Sequence, residues 1–124
     1  MLLRSTLVIN GISTALCGLA LLVAPAPLAE LIGVPVPALL TAVGAGLVLY
    51  AAGLFWTARR RPIPAQAAWA AIVMDLGWVV GSVALVELGL LTSIGVVLVG
   101  LVAAGVFVFA ALQFVGVRQA ARPA

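Results

Sequence analysis

Residues 37–87 read PALLTAVGAGLVLYAAGLFWTARRRPIPAQAAWAAIVMDLGWVVGSVALVE. Two long apolar runs stand on either side of Arg59-Arg60-Arg61-Pro62-Ile63-Pro64. Each run exceeds the roughly 20 residues that a helix needs to cross the hydrocarbon core. The prolines lack the backbone N–H that a continuous helix requires, so the two runs cannot merge. This stretch therefore predicts a hairpin of two membrane helices, at about 37–58 and 65–87, joined by a charged turn.

The same pattern continues outward. An apolar run at about 3–24 is stopped by Pro25 and Pro27, and another at about 92–118 opens at Thr92 or Ser93, residue types that cap helix N-termini. Between the first two spans, residues 26–33 predict one short interfacial helix ended by Gly33. The expected fold is all-α, a four-transmembrane-helix bundle in one domain, 1–124.

Composition excludes the alternatives. Of 124 residues, 66% are hydrophobic and 7% charged, and the mean hydropathy is +1.39. A soluble domain carries roughly 25% charged residues, so nine charges cannot coat a globule of this size. The chain has no histidine and no lysine, and Cys17 is its single cysteine. Nothing therefore points to a metal site, a cofactor, a disulfide or Schiff-base chemistry, and no nucleophile–base pair suggests an enzyme. Ala24-Pro25-Ala26 mimics a signal-peptidase site. Pro27 would follow that cut and block it, so the first run is read as a retained helix.

The six arginines set the topology rather than a nucleic-acid surface. Arg4 precedes the first span, Arg59, Arg60 and Arg61 lie between the second and third, and Arg118 and Arg122 follow the fourth. The other two loops contain none. By the positive-inside rule both termini are cytoplasmic, in a plasma (inner) membrane of the bacterial kind. Trp56 and Trp69 flank the arginine turn and suit the aromatic belt. The arginine turn is also a candidate binder of lipid headgroups. Glu30 and Glu87 lie at the opposite interface and read as solvated.

An internal repeat is visible. At an offset of 59, residues 43–59 match 102–118 at seven of 17 positions, including Gly46/Gly105, Phe55/Phe114 and Arg59/Arg118; about two matches are expected by chance in so apolar an alphabet. Residues 7–10 align more weakly with 72–75, pairing Asn10 with Asp75. The pattern predicts a tandem of two helical hairpins related by an axis along the membrane normal.

Each span carries a polar or small-residue stripe at helical spacing: Thr6, Asn10, Ser13 and Cys17; Ala42, Gly46, Tyr50, Gly53 and Thr57; Ala71, Asp75, Trp78 and Ser82. The last span offers Gln113 as its only strong polar group. Polar groups in hydrocarbon need partners, so these stripes should face one another. Asp75 stands out. It lies roughly 15 Å from the arginine turn, near the midplane, where an ionised aspartate costs about 2.5–3.5 kcal/mol on the insertion scale. Asp75, Asn10 and Tyr50, with Ser13 and Trp78 around them, form the candidate ligand or proton site. The alternative role for Asp75 is to hydrogen-bond Asn10 or Tyr50 and fix helix register.

Small residues mark close-packing faces: Gly77 and Gly81 as a GxxxG pair, Gly11 and Gly18 on the first span, and Gly100 and Ala104 on the last. Gly44-Ala45-Gly46 reads as packing at mid-membrane. The face bearing Gly77 and Gly81 lies nearly opposite Asp75 on the helical wheel and predicts contact with a second copy or a neighbouring helix.

In size and span number the chain resembles the small multidrug resistance transporters. Their hallmark is a membrane-embedded glutamate in the first helix, where this chain has Asn10, and the only deep acid here is Asp75. Over its whole length it also resembles small bacterial four-helix membrane proteins of the DoxX-like kind. That likeness rests on Arg4, on Gly18-Leu19-Ala20-Leu21-Leu22 before a proline-bearing loop, and on Gly44 and Gly46. It implies the four-helix bundle and little specific chemistry.

Two functions are compatible with these residues. One is a non-enzymatic membrane protein acting by helix–helix association, as an accessory subunit or small homo-oligomer. The other is a small transporter or lipophilic-ligand-binding protein using a pocket around Asp75. The first expects a packed interior and smooth outer faces; the second expects a cavity that reaches Asp75.

Overall fold

The computed structural model describes residues 2–121; Arg122 lies outside them. Five helices follow one another: α1 (Leu2–Val23), α2 (Pro25–Ile32), α3 (Pro37–Arg59), α4 (Ala65–Glu87) and α5 (Ser93–Ala121). Helices α1, α3, α4 and α5 are each long and apolar enough to cross a membrane. The chain is an all-α bundle of four membrane helices.

Its solvent preference is inverted relative to a soluble protein. Leu49 is 74% exposed and Val80 68%, whereas Asn10, Asp75 and Gln113 are almost wholly buried. In lipid the polar groups must find partners inside, and the large apolar side chains face the hydrocarbon.

The four long helices form a square. Helix α1 packs closely on α3, α4 on α5, and α1 less extensively on α5, while α3 and α4 scarcely touch. Helices α1 and α4 face each other across one diagonal and α3 and α5 across the other, as a tandem of hairpins requires. The α1–α3 seam is closed by glycines. A Cβ built on Gly18 would stand 2.9 Å from the Gly44 carbonyl oxygen, and one on Gly44 would stand 2.8 Å from that of Gly18. Gly11 packs against the Phe55 ring.

Up-and-down connectivity brings Arg4, Arg59, Arg60, Arg61 and Arg118 to one end of the bundle. Arg4 caps the end of α3, its Nε donating to the Ala58 carbonyl at 2.8 Å and its Nη2 to that of Arg60 at 3.0 Å. A guanidinium there satisfies carbonyls left open by the helix end and complements its dipole. Arg118 lies over the Phe114 ring, which meets Trp69 edge-on.

At the opposite end α2 lies across α1, α3 and α5. It stops at Gly33, whose φ of 103° is the left-handed cap that glycine takes without strain. Thr92 joins α2 to α5. Its hydroxyl donates to the Leu31 carbonyl at 2.6 Å and accepts from the Gly95 N–H at 2.9 Å, so Thr92 is the N-cap of α5. Gly95 sits directly against Ile32.

The interior is uneven along the bundle axis. Leu3, Leu7, Leu54, Ala58, Ala68, Ala71, Ile72 and Val117 form a packed core on the arginine side of Asp75. On the other side, toward α2, a cavity opens between the helices.

Candidate functional site

One polar side chain from each membrane helix meets at the boundary between the packed half and the hollow half. Asn10 of α1 donates through Nδ2 to Asp75 Oδ2 at 2.9 Å and to Gln113 Oε1 at 2.9 Å. Gln113 of α5 donates through Nε2 to the same Asp75 Oδ2 at 3.0 Å. Tyr50 of α3 donates its hydroxyl hydrogen toward Asp75 Oδ1 at 2.9 Å, with the Ala71 carbonyl a second acceptor at 3.1 Å. Thr14 donates to Asn10 Oδ1 at 3.0 Å.

Helix geometry explains the convergence. Side chains lean toward the N-terminus of their own helix. Asp75 and Gln113 sit on helices running in opposite directions, so the aspartate leans toward the arginine end and the glutamine away from it. Gln113 starts only five residues before Arg118, yet its length and tilt carry the amide up to the carboxyl group.

The valences are informative. Asp75 Oδ2 takes two N–H donors, so a proton on this carboxyl group can reside only on Oδ1. Tyr50 has one hydrogen and two acceptors within reach. Two arrangements of the Tyr50–Asp75 contact follow. In the first, Tyr50 donates to an ionised Asp75. In the second, a neutral Asp75 donates from Oδ1 to the Tyr50 oxygen, and Tyr50 donates to the Ala71 carbonyl. They differ by one proton and a hydroxyl rotation, and in both the Tyr50 hydroxyl hydrogen and the two Asp75 oxygens keep their partners.

Above this floor lies a cavity of about 540 Å³. Asp75, Tyr50, Ser13 and Trp78 line it, together with Thr14 and Cys17 on α1 and Met74 on α4. Its walls follow the internal repeat. Val43, Gly46, Leu47 and Tyr50 on α3 all line it, and so do Val102, Gly105, Val106 and Phe109 on α5, each pair 59 residues apart. On the other diagonal Asn10 pairs with Asp75, and Ser13 with Trp78, at an offset of 65. The pairs Tyr50/Phe109 and Asn10/Asp75 differ between the two halves, and they supply the hydroxyl and the acid.

The sequence singled out Asp75, Asn10, Tyr50, Ser13 and Trp78, and the structure places all five at this floor and wall. Asn10 is a floor residue that lies beneath the cavity rather than along it. The indole nitrogen of Trp78 is buried and is the one such side-chain atom among the described residues with no hydrogen-bond partner. Gln113 and Thr14 complete the network without having been included in the candidate site. Gln113 gave a signal, as the only strong polar group in the apolar run of its helix; Thr14 gave none, since a threonine can satisfy itself on its own helix as Thr6 does on Leu2.

The small residues divide into three sets. Gly11, Gly18 and Gly44 are covered by a neighbouring helix. Gly46 and Gly105 have open space where a Cβ would stand and line the cavity, so Gly46 is not the packing residue that its sequence position suggested. Gly77, Gly81 and Gly100 also meet nothing, and they and Ala104 are exposed on the outside of the bundle. No helix among the described residues covers the Gly77/Gly81 face.

No group of histidine, cysteine or acidic side chains among the described residues could hold a metal ion. No protein-family model, curated protein or solved structure matches the chain.

Proposed function

We propose that this membrane protein binds a small lipophilic ligand inside the bilayer, in the cavity above Asp75. The observation that carries this reading is the cavity itself. About 540 Å³ falls within the range of small-molecule sites, which are largely apolar with a few converging polar groups. Here the converging groups are the Asp75 carboxyl and the Tyr50 hydroxyl. A helical bundle built only for association gains nothing from a hollow half, because unfilled space forfeits packing contacts. The wide seam between α3 and α4 gives a ligand dissolved in the membrane its path to the site.

In the same reading the arginine end faces the cytoplasm, so the cavity occupies the outer half of a plasma membrane and both termini lie inside. The uncovered Gly77/Gly81 face supports a second role, self-association or contact with a membrane partner chain through α4. That role does not exclude ligand binding, because the face lies on the far side of α4 from Asp75.

Native mass spectrometry of gently purified protein tests the proposal. A small-molecule adduct on the wild type that is absent from the Gly46→Leu/Gly105→Leu variant supports it. Both glycines have open space at Cβ, so leucines there fill the cavity without displacing a helix. Adducts that are identical on both proteins place the ligand elsewhere and refute the proposal.

A further inference from the structure

The arginine end holds a second site. Arg4, Arg59 and Arg61 converge on a cleft of about 450 Å³ whose remaining walls are Val8, Phe55 and Ala58. Three arginines, from α1, the end of α3 and the following turn, thus border one space. Arg60 and Arg118 do not line it.

These charges have no counterion within the described residues. The three acids of the chain are Glu30, Asp75 and Glu87. Two lie at the opposite end and the third lies at mid-bundle, bonded to Asn10, Gln113 and Tyr50. Arg4 spends Nε and Nη2 on backbone carbonyls, which fixes its guanidinium and leaves its positive charge uncompensated. Clustered guanidiniums repel one another unless an anion joins them, and phosphate is the anion that their planar donor geometry suits.

The apolar walls identify the source of the phosphate. Val8 lies one helical turn deeper than Arg4, and Phe55 one turn deeper than Arg59. The cleft is therefore cationic at its rim and apolar about 6 Å below, along the α1–α3 seam. A free phosphate would use only the rim. We infer that this cleft is a binding site for an anionic phospholipid, with the phosphate held by Arg4, Arg59 and Arg61 and the upper acyl chain against Phe55 and Val8. The site is separate from the Asp75 cavity and independent of its reading.

The test uses the full chain, purified and exchanged into an equal mixture of phosphatidylglycerol and phosphatidylcholine, with bound lipid counted by native mass spectrometry. The wild type should retain phosphatidylglycerol in preference. The Arg59→Gln/Arg61→Gln variant should lose about thirty-fold of that preference, from about 1 kcal/mol for each of the two basic residues near an anionic headgroup. The Arg60→Gln/Arg118→Gln variant, with the same net charge, should keep it. Thermal melts of each variant register any loss of fold. Equal losses from both Gln pairs, or no preference in the wild type, would show diffuse charge and overturn the site. Displacement of the lipid by millimolar inorganic phosphate would overturn the assignment to a lipid.

Discussion

Asn10 and Asp75 are 65 residues apart in the chain, and their side chains meet at 2.9 Å across the diagonal of the bundle. They also occupy equivalent places in the two hairpins. The two hairpins thus bring matching positions to the bundle centre, where one carries an acid and the other the amide that donates to it.

Asp75 should be replaceable by an amide but not by a hydrocarbon. In Asp75→Asn the new carbonyl oxygen accepts from Asn10 and Gln113, and the new NH2 donates to Tyr50, which donates to Ala71. Stability in a detergent unfolding titration should change by less than about 0.5 kcal/mol. Asp75→Leu leaves the donors of Asn10, Gln113 and Tyr50 to find other partners and should cost about 2 kcal/mol. Equal stability of the two variants would show that the network does not hold the helices.

Tyr50 and Asp75 should be energetically coupled. Tyr50→Phe removes the hydroxyl that serves Asp75 Oδ1 in both arrangements. In a double-mutant cycle of Tyr50→Phe with Asp75→Leu, the two losses should fall short of additivity by about 1 kcal/mol. Strict additivity would mean that the 2.9 Å contact contributes nothing.

Much of this was legible in the sequence, for identifiable reasons. A bilayer allows few solutions, so apolar length, prolines and arginines predict four helices and their alternation. An acid, an amide and a phenol in hydrocarbon must find partners, and that necessity singled out Asp75, Asn10 and Tyr50. What stayed hidden depends on how far each helix stands from its neighbours. Gly44 and Gly46 are two residues apart and look alike, yet Gly44 meets the backbone of Gly18 and Gly46 borders empty space. Gln113 was visible as a polar residue, but its partner depends on its lean along α5, which composition does not reveal. Arg4 read as a topology signal, and its role as a cap on α3 requires the α1–α3 packing.

That contrast between glycines can be measured. Gly18→Ala would set a methyl group 2.9 Å from the Gly44 carbonyl oxygen, and forced separation of α1 and α3 should cost about 1–3 kcal/mol. Gly46→Ala and Gly105→Ala meet nothing within 4 Å and should be neutral or slightly stabilising in the same titration, since alanine also favours the helix.

The proposed orientation makes a prediction of its own. A C-terminal green fluorescent protein fusion should fluoresce, and a C-terminal alkaline phosphatase fusion should be inactive, because the arginine end faces the cytoplasm. Moving arginines to the α2 loop while replacing Arg59, Arg60 and Arg61 should invert both signals. An active phosphatase fusion on the unaltered chain would reverse the orientation.

The central claim is that the hollow half of the bundle takes up a lipophilic molecule, and one measurement addresses it directly. Trp56→Phe and Trp69→Phe leave Trp78, on the cavity wall, as the only tryptophan of the three in the chain. Titrating 1-bromododecane into nanodiscs carrying this protein brings a contact quencher to the membrane. The account predicts saturable quenching of Trp78 that disappears when Gly46→Leu/Gly105→Leu is added. Quenching that rises linearly with bromododecane in the bilayer, and is unchanged by the two leucines, would contradict it.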